Sequence, residues 1–337
     1  MKPLAGNVAE EDSVGVERIE AAGGIVVGTT NTPEMGHTPW TYNELAGPTG
    51  TPFDPSYNAG GSSGGSAPAL AEGLCPLATG SDVGGSLRVP ASCCGVASVD
   101  PTFGLLPRES RPNAFGSHTP FAVVGPMART VDDLGLLLDV LAGRDDRDPF
   151  SVPVEEAYTG VEAADPGSLT LGCSADLDLF AVDPDVERVV REAVETLELG
   201  RGHDALDYLA TDETRTELYD AVESALTGVD ALVCPTLATP PLIHDEPFPT
   251  EIAGESTRGL PMDWMLAWPF NVTGHPVVCV PAGLTDEGLP VGLQVVGPRF
   301  SESRLLAVGK AFEAGNPREG AYPRVDAEAK EAANGDS

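Results

Sequence analysis

Apolar positions recur along this chain in two rhythms that alternate over most of its length. From Glu10 to Ala22 the spacing of Val14, Val16 and Ile19 predicts a helix that stops at Gly23-Gly24. Ile25-Val26-Val27 predicts a short buried strand. Residues 45–66, with Pro48, Gly50, Pro52, Pro55 and the run Gly60 to Gly65, read as loop. Ser66 is placed to cap a helix through Leu74 with Pro68 in its first turn, and Gly80 to Gly85 reads as a second loop leading to Ser86. Thr130 caps a helix carrying Val131, Leu134, Leu137, Leu138 and Leu141, and Leu169 to Gly172 reads as a strand. The clearest helix has Asp183 as N-cap and Pro184 behind it. It continues through Val186, Val189, Val190, Ala193, Val194 and Leu197 to Gly200. A helix over 212–227 precedes a strand at Ala231 to Cys234. Strands at Val277 to Val280 and Val291 to Val296 precede a last helix from Ser301 to Phe312.

Several of these strands are continuous apolar runs, and helices separate them. That pattern predicts an α/β fold with a sheet covered by helices on both faces. No internal repeat and no linker interrupts it, so a single domain is expected over 1–325, followed by a polar tail over 326–337.

Composition narrows the function. Hydrophobic residues make up 41% and aromatics 6%, so the core must be built mainly from Val, Leu and Ala. Acidic residues number 52 against 19 basic ones, a net charge of −33, and the lysines are Lys2, Lys310 and Lys330. Such a field repels phosphate backbones and argues against nucleic acid as a partner. The acids are interleaved with periodic apolar segments, which predicts a folded protein with a hydrated acidic surface, of the kind expected in a salt-rich cytoplasm. Six cysteines form no C-x-x-C pair, the adjacent Cys93 and Cys94 cannot easily bridge, and no His/Cys cluster has zinc-ligand spacing. Buried free thiols in a reducing compartment are therefore expected, with no metal and no cofactor. No signal peptide is evident, and no apolar run approaches the roughly 20 residues that cross a bilayer, so a cytoplasmic location off the membrane is expected.

The most informative stretch is residues 60–102, where two glycine-flanked serine loops stand before helix starts, at Ser62 and at Ser86. Backbone N–H groups in such loops point outward with partial positive charge, and glycine lets a ligand approach closely. Val83-Gly84-Gly85-Ser86 therefore reads as an oxyanion hole with a serine at its end. Asp82 and Arg88 flank it, and Arg88 reads as an internal ion-pairing scaffold. His275 reads as a structural histidine, and Trp264 and Trp268 as core cover.

This stretch resembles the amidase signature family. The resemblance continues upstream through residues 22–31 with Pro33-Glu34, and downstream through Gly125-Pro126-Met127-Ala128-Arg129, Cys234-Pro235-Thr236, residues 269–276 and residues 288–294. It implies a single α/β domain around a mixed twisted β-sheet, and amide hydrolysis through a Ser–Ser–Lys triad. By motif, Ser86 matches the nucleophile and Ser62 the bridging serine, which in the family follows a cis peptide bond. Val83, Gly84 and Gly85 match the oxyanion donors, with Ser63, Asp82 and Arg88 in support. The implied chemistry is covalent: a neutral lysine takes a proton through Ser62, Ser86 attacks the carbonyl, and water cleaves the acyl-enzyme. The departures concern the lysine and the middle of the chain. Family spacing would put the lysine slightly upstream of Met1, Lys2 stands in a context resembling the loop after that strand, and Thr29 and Asp100 occupy two other lysine positions. The segment between Gly200 and the helix near 212 is short, so an N-terminally incomplete, internally trimmed chain is expected.

The implied partner is a small-molecule amide, and a homodimer stays open. Three other readings stand beside this one. An α/β-hydrolase would use Gly60-Gly61-Ser62-Ser63-Gly64 as its nucleophile turn, straight after an apolar strand, but Pro55-Ser56-Tyr57-Asn58-Ala59 before it reads as loop. A catalytically dead amidase-like scaffold would only bind. An amidotransferase A-type subunit would act on glutamine for tRNA amidation, together with partner subunits.

Overall fold

The computed structural model describes residues 5–111, 113–115, 122–196, 213–316 and 322. In chain order, α1 (Val14–Ala21) is followed by two short ladders, β1 (Tyr42–Asn43) with β2 (Gly47–Pro48) and β3 (Gly50–Thr51) with β4 (Asp54–Asn58). Then come α2 (Ser66–Ala71), β5 (Leu77–Asp82), α3 (Arg88–Cys94), β6 (Ala97–Asp100), β7 (Val123–Ala128) and α4 (Val131–Leu141). The second half runs through β8 (Leu171–Cys173), α5 (Pro184–Glu195), α6 (Glu213–Ala225), β9 (Ala231–Pro235) and the small ladder β10 (Glu251–Ile252) with β11 (Glu255–Ser256). It ends with α7 (Trp268–Thr273), β12 (Val277–Leu284), β13 (Pro290–Val296) and α8 (Glu302–Gly315).

Seven strands form one mixed sheet in the order β5-β7-β6-β12-β13-β9-β8, in which only β8 and β9 run parallel. Successive side chains of a strand face opposite sides, and the core divides accordingly. Val278 and Val280 of β12 pack with α4, α5 and α8 on one face, while Val277 and Cys279 pack with α2, α3, α6 and α7 on the other. Burial on both faces is why β9, β12 and β13 read as unbroken apolar runs. The expected α/β fold with a doubly covered mixed sheet is what the structure contains.

Local chemistry sets the helix starts. Asp183 accepts from the Asp185 amide with Pro184 in the first turn, and Val186, Val189, Val190 and Ala193 form the buried stripe of α5. Thr130 caps α4 by accepting from the Asp133 amide, and the Val131 amide is taken by the Glu313 carboxylate of α8.

Several expectations are corrected. Ile25-Val26-Val27 is not a strand: no described neighbour pairs with it, and Ile25 and Val27 are 87% and 81% exposed. The first helix starts after Ser13, not at Glu10, because Ser13 supplies the cap. Ser66 does not cap α2. Gly65 precedes the helix, and the Ser66 hydroxyl pairs instead with Thr30 Oγ1 (2.9 Å) and the Thr79 carbonyl (3.0 Å). The stretch read as a Gly80–Gly85 loop is the end of strand β5 as far as Asp82, paired residue by residue with β7. The 45–66 loop contains the β2, β3 and β4 ladders, and β6 and β7 carry no signal recognised in the sequence. Leu197, Gly200, Lys2, Lys330 and the 326–337 tail lie outside the described residues. All six cysteines are free thiols, with Cys75 and Cys173 only half-buried.

Candidate active site

The two serine loops meet. The Ser63 amide donates to the Ser86 carbonyl at 3.1 Å, which ties the start of the Ser62 loop to the loop that leads into α3. The Ser63 hydroxyl adds a second tie by accepting from the Ser81 amide (3.2 Å) and donating to the Ser81 carbonyl (3.4 Å) on the free side of β5. Ser62 and Ser63 are buried, Ser86 is half-buried, and the Gly61–Ser62 peptide is cis. Ser62 follows β4, a polar strand that pairs with β3 and bridges Ile243 but does not join the main sheet. The nucleophile turn of an α/β-hydrolase therefore does not form there.

Asp82, at the end of β5, holds the Ser86 loop from beneath. The Gly85 amide donates to its Oδ1 (2.6 Å) and the Leu87 amide to its Oδ2 (2.9 Å). Arg88 donates to the same two oxygens from Nη2 and Nε, each at 3.2 Å, and Asn271 Nδ2 adds a bond to Oδ1 at 2.8 Å. The Gly85 amide is thus spent on Asp82, which removes it from the expected oxyanion donors. Among the described residues, the amides of Val83, Gly84 and Ser86 donate to no protein acceptor. Gly85 sits at φ +117°, and a Cβ there would meet the Ala267 side chain at 2.9 Å, so the loop needs glycine at this point.

Arg88 is completely buried and fully engaged. Beyond Asp82, it donates from Nη1 to the Ala267 carbonyl (2.8 Å) and Gln294 Oε1 (3.0 Å) and from Nη2 to Asn271 Oδ1 (2.5 Å), and Nη2 forms an ion pair with Asp100 Oδ2 at 2.9 Å. One guanidinium faces two carboxylates. Burial pushes the Asp82 carboxyl up, but the Arg88 charge and the loop amides outweigh it and hold Asp82 below the usual carboxylate range. Burial likewise pushes Asp100 up, and here Arg88 offsets only part of the rise, to which Asp82 and Glu302 add. Asp82 is the carboxyl whose charge the surroundings favour and Asp100 the one whose charge they disfavour, although Asp100 lies closer to Nη2. Five donors converge on Asp82, and that decides between them.

Ser86 opens into a cavity of about 490 Å³, a size that suits a small molecule. One wall is Met35 to Pro39, the floor is Val83, Gly84 and Ser86, and the opposite wall is Pro261, Met262, Met265, Trp268 and Val272. Three of the chain's five methionines face it. Trp268 lines the cavity as well as packing on the core, so it is not core cover alone. Trp264 is buried in the core as expected.

The remaining residues fall elsewhere. His275 pairs through Nδ1 with Thr273 Oγ1 (2.8 Å) and through Nε2 with the accepting Glu223 carboxylate (3.1 Å), and burial pushes its imidazole below the ordinary value. It does not line the cavity, which fits a structural histidine. Lys310 lies on α8, on the other face of the sheet, bound to Asp132 and the Val161 carbonyl. No group of His, Cys, Asp and Glu among the described residues could hold a metal, and no described helix is long and apolar enough to cross a membrane.

Sequence reasoning missed Asn271, Gln294 and Asp100 as partners of Arg88, and the cavity walls altogether. Gln294 carried one usable signal, a polar side chain inside the apolar run Val291 to Val296. Met35 and Met262 carried none, because each sits in a single three-residue 3-10 turn too short to show periodicity.

Comparison with known proteins places this arrangement among relatives. A family model described as Amidase matches residues 1–205 and 199–306. An acylamidase of Rhodococcus erythropolis is 34% identical over 372 aligned residues, covering 94% of this chain and 77% of its own. The A-type subunit of a glutamyl-tRNA(Gln) amidotransferase of Natronomonas pharaonis is 30% identical, with 92% and 89% covered. Among solved structures, a bacterial aryl acylamidase of the amidase signature enzymes matches with TM-score 0.83 at 28% identity, covering 94% of this chain and 77% of that one. A 6-aminohexanoate cyclic dimer hydrolase with bound substrate matches with TM-score 0.77 at 28% identity, with 94% and 80% covered.

Proposed function

The chain belongs to the amidase signature family, and on that footing we propose that it cleaves the C–N bond of a small, uncharged, apolar carboxylic amide through an acyl-enzyme on Ser86. The observation that carries this reading is the junction of the two serine loops at Ser63 and Ser86, with the uncommitted amides of Val83, Gly84 and Ser86 beside the cavity. Ser86 Oγ attacks the amide carbonyl carbon, and those amides receive the negative charge that grows on its oxygen. One such donor typically contributes about 2.7–4 kcal/mol of transition-state stabilisation. Ser62, on the loop tied to Ser86, passes protons between nucleophile and leaving nitrogen. The amine departs, and water then attacks the ester and frees the acid.

The cavity favours the apolar class. Its walls are methionine, proline, valine and tryptophan, flexible and polarisable surfaces that accept varied aliphatic and aryl groups. They offer no carboxylate or guanidinium to the charged α-groups of glutamine, which favours a stand-alone amidase over an amidotransferase component. A fluorophosphonate probe tests the assignment: stoichiometric labelling and anilide hydrolysis are expected, both lost in Ser86→Ala. Labelling that survives in Ser86→Ala removes Ser86 from its role, and hydrolysis of glutamine in preference to apolar amides removes the substrate class.

A further inference from the structure

The cavity wall opposite Met35 to Pro39 has two parts, and they are held in different ways. Trp268 and Val272 stand on helix α7. Met265 is anchored from behind, where it bridges Leu237 and where the neighbouring Trp264 carbonyl accepts from the Ala238 amide at 2.8 Å. Pro261 and Met262 stand instead on one 3-10 turn, Pro261–Asp263, with Met262 exposed. A single turn of this kind is marginal in water on its own. One carboxylate closes it. Asp263 Oδ2 accepts from the amides of Arg258 (2.9 Å) and Leu260 (3.1 Å), and Oδ1 accepts from Arg258 Nε (2.9 Å) and Nη2 (2.5 Å). From the other side, the Trp268 indole N–H donates to the Met262 carbonyl at 3.3 Å. The turn is thus slung between Asp263 and a tryptophan of the same wall. The Asp263 side chain is 9% exposed and that of Arg258 72%. Burial pushes the Asp263 carboxyl up, but Arg258 and the two loop amides outweigh it and hold it below the usual carboxylate range. An exposed guanidinium holds little by itself, so the two charge-assisted amide bonds matter most.

We propose that Asp263 is the positioning residue that sets the width of the substrate cavity: by closing the 258–263 loop it holds Pro261 and Met262 against the apolar group of the bound amide. The inference deepens the proposed reading and rests on it, since that reading seats the amide over Ser86. Asp263 itself does not line the cavity and touches no reacting atom. Its removal should therefore weaken substrate and transition state alike, which raises KM and leaves kcat alone. An apolar pocket gains or loses about 10–200-fold for each methylene it fills or leaves empty. Release of Pro261 and Met262 removes contacts on at least that scale.

The test compares wild type, Asp263→Ala and Asp263→Asn as the full chain on a small apolar anilide. In Asp263→Ala, KM is expected to rise roughly tenfold while kcat, the rate of fluorophosphonate labelling and the melting midpoint stay put. Asp263→Asn keeps an oxygen for the Arg258 and Leu260 amides and should restore most of the KM. Binding is also read without catalysis. An aryl ketone of the anilide's shape, lacking the C–N bond, is titrated calorimetrically into Ser86→Ala with and without Asp263→Ala, and the second substitution should raise Kd by the same factor. A KM and Kd within threefold of the parent, a loss of kcat and labelling in step with KM, or an Asn variant no better than Ala overturns the proposal while Ser86 keeps its role. If the wild type takes up no label, Ser86 loses its role, and the calorimetric step alone then decides for or against Asp263.

Discussion

Replacing Asp82 by Asn alters one heavy atom and should unseat the Ser86 loop. Asp82 accepts five donors: the Gly85 amide, Arg88 Nη2 and Asn271 Nδ2 at Oδ1, and the Leu87 amide and Arg88 Nε at Oδ2. An Asn side chain keeps one acceptor oxygen and turns an NH2 towards the donors on the other side. Whichever way it flips, at least two donors face an NH2, and the buried Arg88 loses the carboxylate that the loop amides support, keeping only the ion pair to Asp100. Removing one member of a buried pair typically costs about 3–5 kcal/mol, because the other charge is left uncompensated. Against a typical stability of about 5–15 kcal/mol, Asp82→Asn should remain measurable but visibly weaker. Urea unfolding at neutral pH gives the loss directly. The rate of fluorophosphonate labelling under native conditions gives the consequence at Ser86, since the Gly85 and Leu87 amides on either side of it are the ones released. A loss below about 1 kcal/mol, the scale of an exposed ion pair, would refute the reasoning, because it would mean that Asp82 is not the charge the site depends on.

Asp100→Asn should behave in the opposite sense. A carboxyl held above its unfolded value contributes stability at low pH that is lost as pH rises through the folded value. Relative to wild type, the Asp100→Asn variant should therefore gain stability as pH rises from the ordinary aspartate range, and an equal deficit at every pH in denaturant titrations would count against it. Mild peroxide should convert Met35 and Met262, 69% and 51% exposed at the cavity, to sulfoxides and raise KM for apolar anilides severalfold. Met35→Leu with Met262→Leu should resist the treatment, and equal sensitivity of that variant would place the damage elsewhere. With a net charge of −33, self-repulsion should relax in salt, so the melting midpoint should climb between dilute buffer and molar KCl; a flat response would dismiss charge repulsion as a limit on stability.

Elements whose signal is local were legible in the sequence. The cap Asp183 with Pro184 and the stripe Val186, Val189, Val190 and Ala193 determine α5 without outside help, and β9, β12 and β13 announce themselves because both of their faces are buried. Elements made by their neighbours were not. Leu77-Ala-Thr-Gly-Ser-Asp has a weak strand composition. It is strand β5 because β7 pairs with it at six positions and the hydroxyls of Ser63 and Ser66 occupy groups on its open side. Ile25-Val26-Val27 is the converse case, a good strand composition that finds no described partner.

The site divides along the same line. Glycine-framed serines advertise themselves because few other jobs need that composition, and Asp82 and Arg88 are close enough in sequence to suggest a pair. The rest of the Arg88 cage comes from Asn271 and Gln294, 183 and 206 positions away, on elements whose patterns speak of packing. Yet burying an unbonded amide costs on the order of 2 kcal/mol or more, so a glutamine in the interior of an apolar strand implies a polar group opposite it. Followed through, Gln294 points to Arg88, and Arg88 through Asp82 to the Gly85 and Leu87 amides on either side of Ser86. Ser86 therefore takes its position from a charge network buried beneath it, while the cavity walls lie on segments whose patterning says nothing of them. That is why the serine loops could be read before the cavity walls.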